Sequence, residues 1–291
     1  MKITKGSIYS SVEKITPPII FTSIKGSKLY KKVVGSMKNN SLNTSAQTIT
    51  VKSGDLAGFT LKLDPSGSWQ QEMLAGTYDK ELFSYLKEKD LSGKVIYDIG
   101  AHICYHSLIF STYIGKTGQV FAFEPNPTNF KRAKEIIKLN PEIQNIQVLD
   151  LALSDSSGTT SFLSTENIEL GTSSGGFIND ASTLWDRSDY LEKTGFTASE
   201  VKIETIDKLV NQKNIAPPDV MKIDVEGAEQ LTLAGARETI NKYHPVIIIE
   251  FHSIFSTYAS MEILALNNYS TKLLKKEPDG RILIVAEFKK I

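Results

Sequence analysis

Hydrophobic and polar positions along the chain follow two alternating rhythms. From Lys94 onward, short apolar runs at 94–99, 119–124, 145–152, 219–224 and 245–251 read as strands. Stretches of helical spacing at 104–113, 128–139, 227–241 and about 256–267 fall between or after them. Strand and helix in strict alternation predict an α/β fold, a doubly wound and mostly parallel sheet with crossover helices. Pro127 suits a first helical turn, and Pro141 stops the same helix. Asp279-Gly280, between YSTKLLKKE and RILIVAEFK, is a hairpin signal, so the sheet is expected to close with a C-terminal antiparallel hairpin.

Ahead of this core, TITVKSG (48–54) and FTLKLD (59–64) alternate as short strands around a glycine-containing turn. In YDKELFSYLKEKD (78–90), Leu82, Phe83 and Leu86 share one helical face. The expected division is an N-terminal extension at 1–48, a small lead-in at 49–92 and a core at 93–291. Residues 164–200 break the rhythm: ELGTSSGGF is rich in small polar residues, and Trp185, Tyr190 and Phe196 follow. This insertion leaves the strand ends where ligands bind, so it reads as a loop covering the substrate, with plain disorder as the alternative.

A hydrophobic content of 41% and a charged content of 23% over 291 residues describe a soluble globular chain with room for a sizeable core. The formal net charge is zero, so no global field points to nucleic acid. The average hides an asymmetry. Residues 1–40 carry eight lysines against the single acid Glu13, a net of +7 that leaves −7 for the remainder. Interleaved apolar residues such as Ile20, Phe21, Leu29 and Val33 make this arm either an accessory helix or a peripheral membrane contact. Cys104 is the only cysteine, which excludes a disulfide framework and a thiolate metal cluster. No apolar run nears the ~20 residues of a membrane span and no signal-peptide pattern opens the chain, so a cytoplasmic protein is expected.

The segment KVIYDIGAHICYH (94–106) carries the most chemistry. Its buried-strand pattern ends in Asp98, then Gly100, and no G-x-G-x-x-G is present. A diphosphate would be repelled by a carboxylate at that strand end, whereas a ligand with an amino group or sulfonium would not; S-adenosylmethionine fits. The next strand ends FEPNP, placing Glu124 where a carboxylate can accept both hydroxyls of a ribose. The third ends DLALSD, where Ala152 and Leu153 offer apolar surface to an adenine ring. MKIDVEGAE ends the fourth, crowding Asp224, Glu226 and Glu229 around Gly227; Asp224 should point to the site, Glu226 in or along the helix start, and Glu229 to the helix surface. The fifth ends IIIEFH, with Glu250 and His252 on one side of an extended backbone.

In this order and spacing, DIGAHICYHS, FEPNP, ALSD, ETIDKL, KIDVEGAE and IIEFH resemble the FkbM-type family of S-adenosylmethionine-dependent methyltransferases, over residues 54 to 252. The resemblance implies a class I, Rossmann-like methyltransferase fold and O-methylation of a hydroxyl on a sugar, glycan or other natural product. It also implies that Asp98 and Gly100 shape the methionine end of the cofactor pocket, Glu124 takes the ribose and Asn126 supports that turn. Ala152 and Leu153 would flank adenine, with Asp224 near the reacting methyl. Family members commonly carry glycine where Cys104 stands; a side chain there can narrow the pocket or shift the methionine carboxylate, but cysteine is small, so tolerance is expected, with Cys104 read as a buried small apolar residue.

A neutral hydroxyl must lose its proton on methylation. His252 is the first choice of base, from its ordinary pKa near neutrality; Asp224, Glu226 or Glu250, raised by acidic neighbours, are the alternatives. The same carboxylates suit Mg²⁺, which is not favoured, and no metal site is assigned. His102 and His106 lack a third ligand: His102 reads as lining the cofactor pocket, His106 as packed or at the surface, and His244 as structural. The partner expected is a small-molecule or glycan hydroxyl acceptor, with no nucleic acid. The competing functions are a catalytically degenerate cofactor-binding protein and a nucleic-acid or protein methyltransferase. Against the latter, IDVEGAE stands where an amino-methylating enzyme would show an Asn/Asp-Pro-Pro-aromatic stretch, and no basic, aromatic-studded face exists beyond residue 40.

Overall fold

The computed structural model describes residues 46–165, 176–178 and 196–289. The basic extension and most of the 164–200 insertion, including Trp185 and Tyr190, lie outside them.

The core is a seven-stranded sheet, with β3 (Val95–Ile99), β4 (Gln119–Phe123), β5 (Ile146–Leu149), β10 (Val220–Ile223), β11 (Val246–Phe251), β12 (Tyr269–Lys276) and β13 (Ile282–Phe288) in the order β12-β13-β11-β10-β3-β4-β5. The five strands β11, β10, β3, β4 and β5 run parallel, and β13 pairs antiparallel with both β11 and β12. Four of the five core strands and the terminal hairpin stand where the sequence places them, and the third strand begins there but ends early. From β3 the chain winds outward through β4 and β5, then returns to β10 and winds the other way. The strand order therefore reverses between β3 and β10, and the crevice above their carboxyl ends is where such sheets bind ligands.

Side-chain alternation sorts each strand between two cores. Ile96, Val120, Val220 and Ile248 pack on one face. Tyr97, Ile99, Phe121, Phe123, Met221, Ile223, Ile247 and Ile249 pack on the other. Burying these fully apolar positions, at about 25 cal/mol per Å² removed from water, holds the layers together. Crossover helices close both faces: α3 (Tyr105–Ile114), α4 (Pro127–Lys138), α6 (Glu229–Ala234), α7 (Arg237–Tyr243) and α8 (Ile254–Leu266). The helix expected at 227–241 is thus two, separated at Gly235. A Cβ there would lie 2.0 Å from the Ser154 carbonyl oxygen, so the backbone itself packs against the ALSD turn.

Two parts of the chain depart from expectation. The lead-in holds β1 (Gln47–Thr50), β2 (Thr60–Leu63), α1 (Ser68–Ala75) and α2 (Lys80–Lys87), of which α1 has no counterpart in the sequence reading. The third strand stops at Leu149, short of 152. Ala152 and Leu153 instead form β6 of a separate sheet, β6-β9-β7-β8, with β7 (Gly158–Thr165), β8 (Phe177–Ile178) and β9 (Phe196–Glu204). The ends of the insertion are accordingly strands: β7 and β9 pair antiparallel from Gly158–Ile203 to Thr165–Phe196.

Candidate active site

A cavity of about 980 Å³ opens above the switch point. Its floor is the turn after β3. Gly100 has φ +80°, and a Cβ on it would sit 1.8 Å from the Asp224 carbonyl oxygen, so glycine is required on both counts. Beside it, Glu124 is 5% exposed at the end of β4. Its carboxylate accepts the backbone N–H groups of His102 at 2.7 Å and Asn126 at 2.9 Å, tying the two βα turns together. Burial pushes the Glu124 carboxyl up to about 7 despite these bonds. Ala101, Leu151, Ala152, Leu153, Phe162 and Ile178 complete an apolar wall on this side.

The other side is charged. Lys222, 4% exposed, faces Asp98 across the β3–β10 register. Its Nζ lies 3.6 Å from Asp98 Oδ1 and donates to Asp224 Oδ2 at 3.2 Å and the Gly100 carbonyl at 3.3 Å. Although burial opposes ionisation, Lys222 and His252 hold Asp224 below the ordinary carboxylate range, and the same carboxylates hold Lys222 cationic. Glu226 sits at φ +56°, a left-handed conformation that strains a non-glycine residue, and burial raises its carboxyl. Burial and Asp224 push Glu250 up to about 7, although Arg281 Nη1 donates to it at 2.6 Å. Further along, Asp79 accepts from His106 at 2.9 Å and Lys275 at 3.2 Å; burial works against its ionisation, but these partners bring it down to about 2.

His252 lies behind this wall. Its Nδ1 is 2.9 Å from Glu229 Oε1, and its Nε2 is 3.5 Å from Asp224 and 3.6 Å from Glu226. Burial disfavours its charge, yet the Glu229 bond and the carboxylates of Asp224 and Glu226 raise it to about 9. The imidazole is therefore protonated at neutral pH.

Of the residues singled out in the sequence, Gly100, His102, Glu124, Ala152, Leu153, Asp224, Glu226 and Glu250 line the cavity. Asp98, Asn126 and His252 do not. Asp98 is fully buried and is held by the Ser107 hydroxyl at 2.5 Å and by Lys222, through which it acts on the wall. Asn126 caps α4, accepting from the Thr128 and Asn129 N–H groups. Glu229, expected on the helix surface, is fully buried and is bonded by His252 and the Ser256 hydroxyl, because α8 packs over the start of α6 with its serines inward. Cys104 is a buried small residue, as the sequence suggests, and does not narrow the cavity. At φ +64° it occupies a conformation that favours glycine, and its thiol is buried among Ala101, Ala122 and Ala133, away from the cavity. Burial pushes that thiol far above its ordinary range, so it is no nucleophile.

Sequence reasoning missed Lys222, Trp69, Tyr78, Asp79, Lys275 and Arg281 on the wall. Lys222 was within reach, since neighbouring strands place it directly across from Asp98. The others come from the lead-in and the terminal hairpin, where no local pattern marks them.

The family described as Methyltransferase FkbM domain matches residues 98–273, more than half of the chain, including the strand ends at the switch point. The chain belongs to the FkbM methyltransferase family. It is 29% identical over 234 residues to the hexuronic acid methyltransferase AglP of Haloferax volcanii, covering 80% of this chain and 85% of AglP. Among solved structures, a methyltransferase FkbM from Methylobacillus flagellatus KT aligns over 76% of this chain at 15% identity and a TM-score of 0.46. The alignment spans about half of that longer chain, at 55%. An S-adenosylmethionine-dependent O-methyltransferase from Thermotoga maritima aligns over 77% of this chain and 73% of its own, at 11% identity and a TM-score of 0.45.

This FkbM methyltransferase uses S-adenosylmethionine, and its residues fit that donor. Gly100 leaves a cradle that any Cβ would fill, Glu124 offers a buried acceptor carboxylate, and the acidic wall suits a sulfonium. No helix among the described residues is long and apolar enough to cross a membrane.

Proposed function

We propose that this enzyme O-methylates a sugar, with a hydroxyl of a glycan or uronic acid as the acceptor. The observation that carries the reading is the division of one cavity into an apolar, Glu124-bearing half and a carboxylate-bearing half that meet at Gly100 and Asp224. Its volume of about 980 Å³ stands at the top of the ~300–1,000 Å³ range of ligand sites, with room for two molecules. Similarity to a hexuronic acid methyltransferase supports a glycan acceptor.

When bound, S-adenosylmethionine supplies an electrophilic methyl on a sulfonium sulfur. Glu124 would accept the ribose hydroxyls, Ala152, Leu153, Phe162 and Ile178 would enclose adenine, and Gly100 and His102 would meet the methionine end. Asp98 acts from behind by fixing Lys222, and Asn126 by fixing the turn that follows Glu124. Asp224, kept ionised by Lys222 and His252, would supply negative charge on the wall near the sulfonium. Transfer of that methyl to the acceptor oxygen would release the hydroxyl proton, and Glu226 would take it. That carboxylate is the better base because burial raises its pKa against the pull of His252, 3.6 Å away, and no cation is hydrogen-bonded to it, whereas His252 already carries a proton and Glu250 is held by Arg281. In-line placement of hydroxyl and methyl supplies much of the acceleration. Mg²⁺ has no assigned part in this reading.

The test is calorimetric titration with S-adenosylmethionine, followed by transfer of labelled methyl to uronic-acid glycans, neutral glycans, peptides and RNA. Donor binding with label on glycan is the expected result. No heat at millimolar donor, or label only on RNA or peptide, would overturn it.

A further inference from the structure

We infer that Asp224, Glu250 and His252 form a binding site for a first-row divalent cation, Mn²⁺ rather than Mg²⁺, at the acceptor end of the cavity. One ligand atom from each residue lies within 4.8 Å of the other two. In a formed coordination sphere, with bonds of about 2.2 Å, ligand atoms stand about 3 to 4.4 Å apart. Small side-chain movements therefore close the site.

The independent observation is the setting of His252. Its side chain is 9% exposed, and a fully buried carboxylate, Glu229, grips its Nδ1 at 2.9 Å while also accepting from Ser256. The inward nitrogen, Nε2, is buried and has no hydrogen-bond partner. It faces Asp224 and Glu226 at 3.5 and 3.6 Å, beyond hydrogen-bond length for an N–H donor. A carboxylate that fixes one ring nitrogen while the other aims at acidic oxygens is the arrangement found at metal-binding histidines.

Charge points the same way. Asp224, Glu226, Glu229 and Glu250 gather around one imidazole, whose Nε2 proton a bound cation would replace, with Lys222 at 3.2 Å from Asp224 and Arg281 at 2.6 Å from Glu250 as the other positive groups. Arg281 occupies Glu250 Oε1 and leaves Oε2 open. A dication answers the surplus of carboxylates. One imidazole with two carboxylates suits a first-row dication, and among these Mn²⁺ best keeps the carboxylate preference of a hard ion while accepting one nitrogen, whereas Mg²⁺ prefers an all-oxygen shell. Because Asp224 and Glu250 line the cavity, the remaining coordination positions open onto it. There the ion would take the acceptor oxygen and make its proton easier to lose. That catalytic consequence rests on the methyl-transfer reading above; the site itself does not.

The experiment uses the full chain stripped with a chelator and titrated with Mn²⁺, followed by the electron paramagnetic resonance of free ion. Donor binding is measured on the same sample. The expected result is one Mn²⁺ per chain, with spin-echo modulation from a single imidazole nitrogen. Asp224→Asn, Glu250→Gln and Glu229→Gln should each weaken binding by about 10- to 100-fold. Glu72→Gln, at the exposed rim, should leave it unchanged. Absence of Mn²⁺ binding in chain that binds the donor overturns the site alone, as does binding without imidazole modulation in the unaltered chain, a result that needs no variant to fold. Mn²⁺ bound with imidazole modulation by chain that takes no donor upholds the site and overturns the methyl-transfer reading.

Discussion

Replacing Glu124 by glutamine separates what this carboxylate does for the fold from what it does for the donor. In the free protein it is 5% exposed and raised to about 7 from an ordinary 4.5, so its ionised form is disfavoured by about 3 kcal/mol above neutrality. A carboxyl whose folded pKa lies above its unfolded value removes stability as pH climbs from about 4.5 towards 7. Glutamine carries no such burden. It keeps an acceptor for one of the two N–H groups, of His102 and Asn126, and turns an amide donor on the other, at a cost of about 1.5–3 kcal/mol. At pH 8 these changes nearly cancel, and the melting temperature of Glu124→Gln should stay close to that of the parent.

Donor affinity should not. An ionised carboxylate accepts from both ribose hydroxyls, and glutamine accepts from one. A loss of about 2 to 4 kcal/mol, roughly 30- to 1,000-fold in Kd, follows. Because only ionised Glu124 accepts both hydroxyls, affinity in the parent should rise by about tenfold from pH 6 to pH 8, and the variant should be flat across that window. His252→Ala, behind the wall, should lose less affinity than Glu124→Ala. Calorimetric titrations at three pH values decide the matter. Donor Kd within about threefold of the parent in Glu124→Gln, or a flat pH profile in the parent, would refute the ribose assignment.

Glu226→Gln should lower kcat by about 10²- to 10⁴-fold with donor affinity little changed, and steady-state kinetics against calorimetry will separate the two. The parent's rate should rise with pH through a limb above the ordinary carboxylate range, since burial raises Glu226. Cys104→Gly relieves a left-handed residue but loses a buried thiol and stiffens the unfolded chain less, so stability should move by no more than about 1 kcal/mol in denaturant melts. Donor affinity should be unchanged, and a large loss would contradict a thiol facing the alanine cluster. Lys222→Met strands Asp98 without a cation and should cost about 3–5 kcal/mol. Adding Asp98→Asn should recover much of that loss if the two charges are truly coupled.

What the sequence disclosed and what it hid follow one physical division. Residues 95–97, 120–123 and 246–249 are legible because a strand covered on both faces is apolar along most of its length, whatever lies beside it. Glu124 and Asp224 are legible for the converse reason: an acid that ends such a strand has a fixed place at the sheet's carboxyl edge. Helix α8 defeats the same logic. Ser256 and Ser260 face inward to reach the buried Glu229, while Ile254, Tyr258 and Leu266 stand exposed, so apolar spacing reports the wrong face and Glu229 reads as surface. Ala152 and Leu153 defeat it differently, because a two-residue strand in a second sheet carries no period of its own. Lys275 and Arg281 reach the cavity only because β13 inserts beside β11, a neighbour relation set by strand order and not by any residue near them. Lys222 lies between these cases. Its chemistry is plain in KIDVEG, yet a buried lysine becomes intelligible only when β10 is set beside β3 and Asp98 stands opposite. Strand adjacency, then, is the missing quantity: once it is known, alternation places Asp98 and Lys222 on one face and Asp224 and Glu250 on the wall above them.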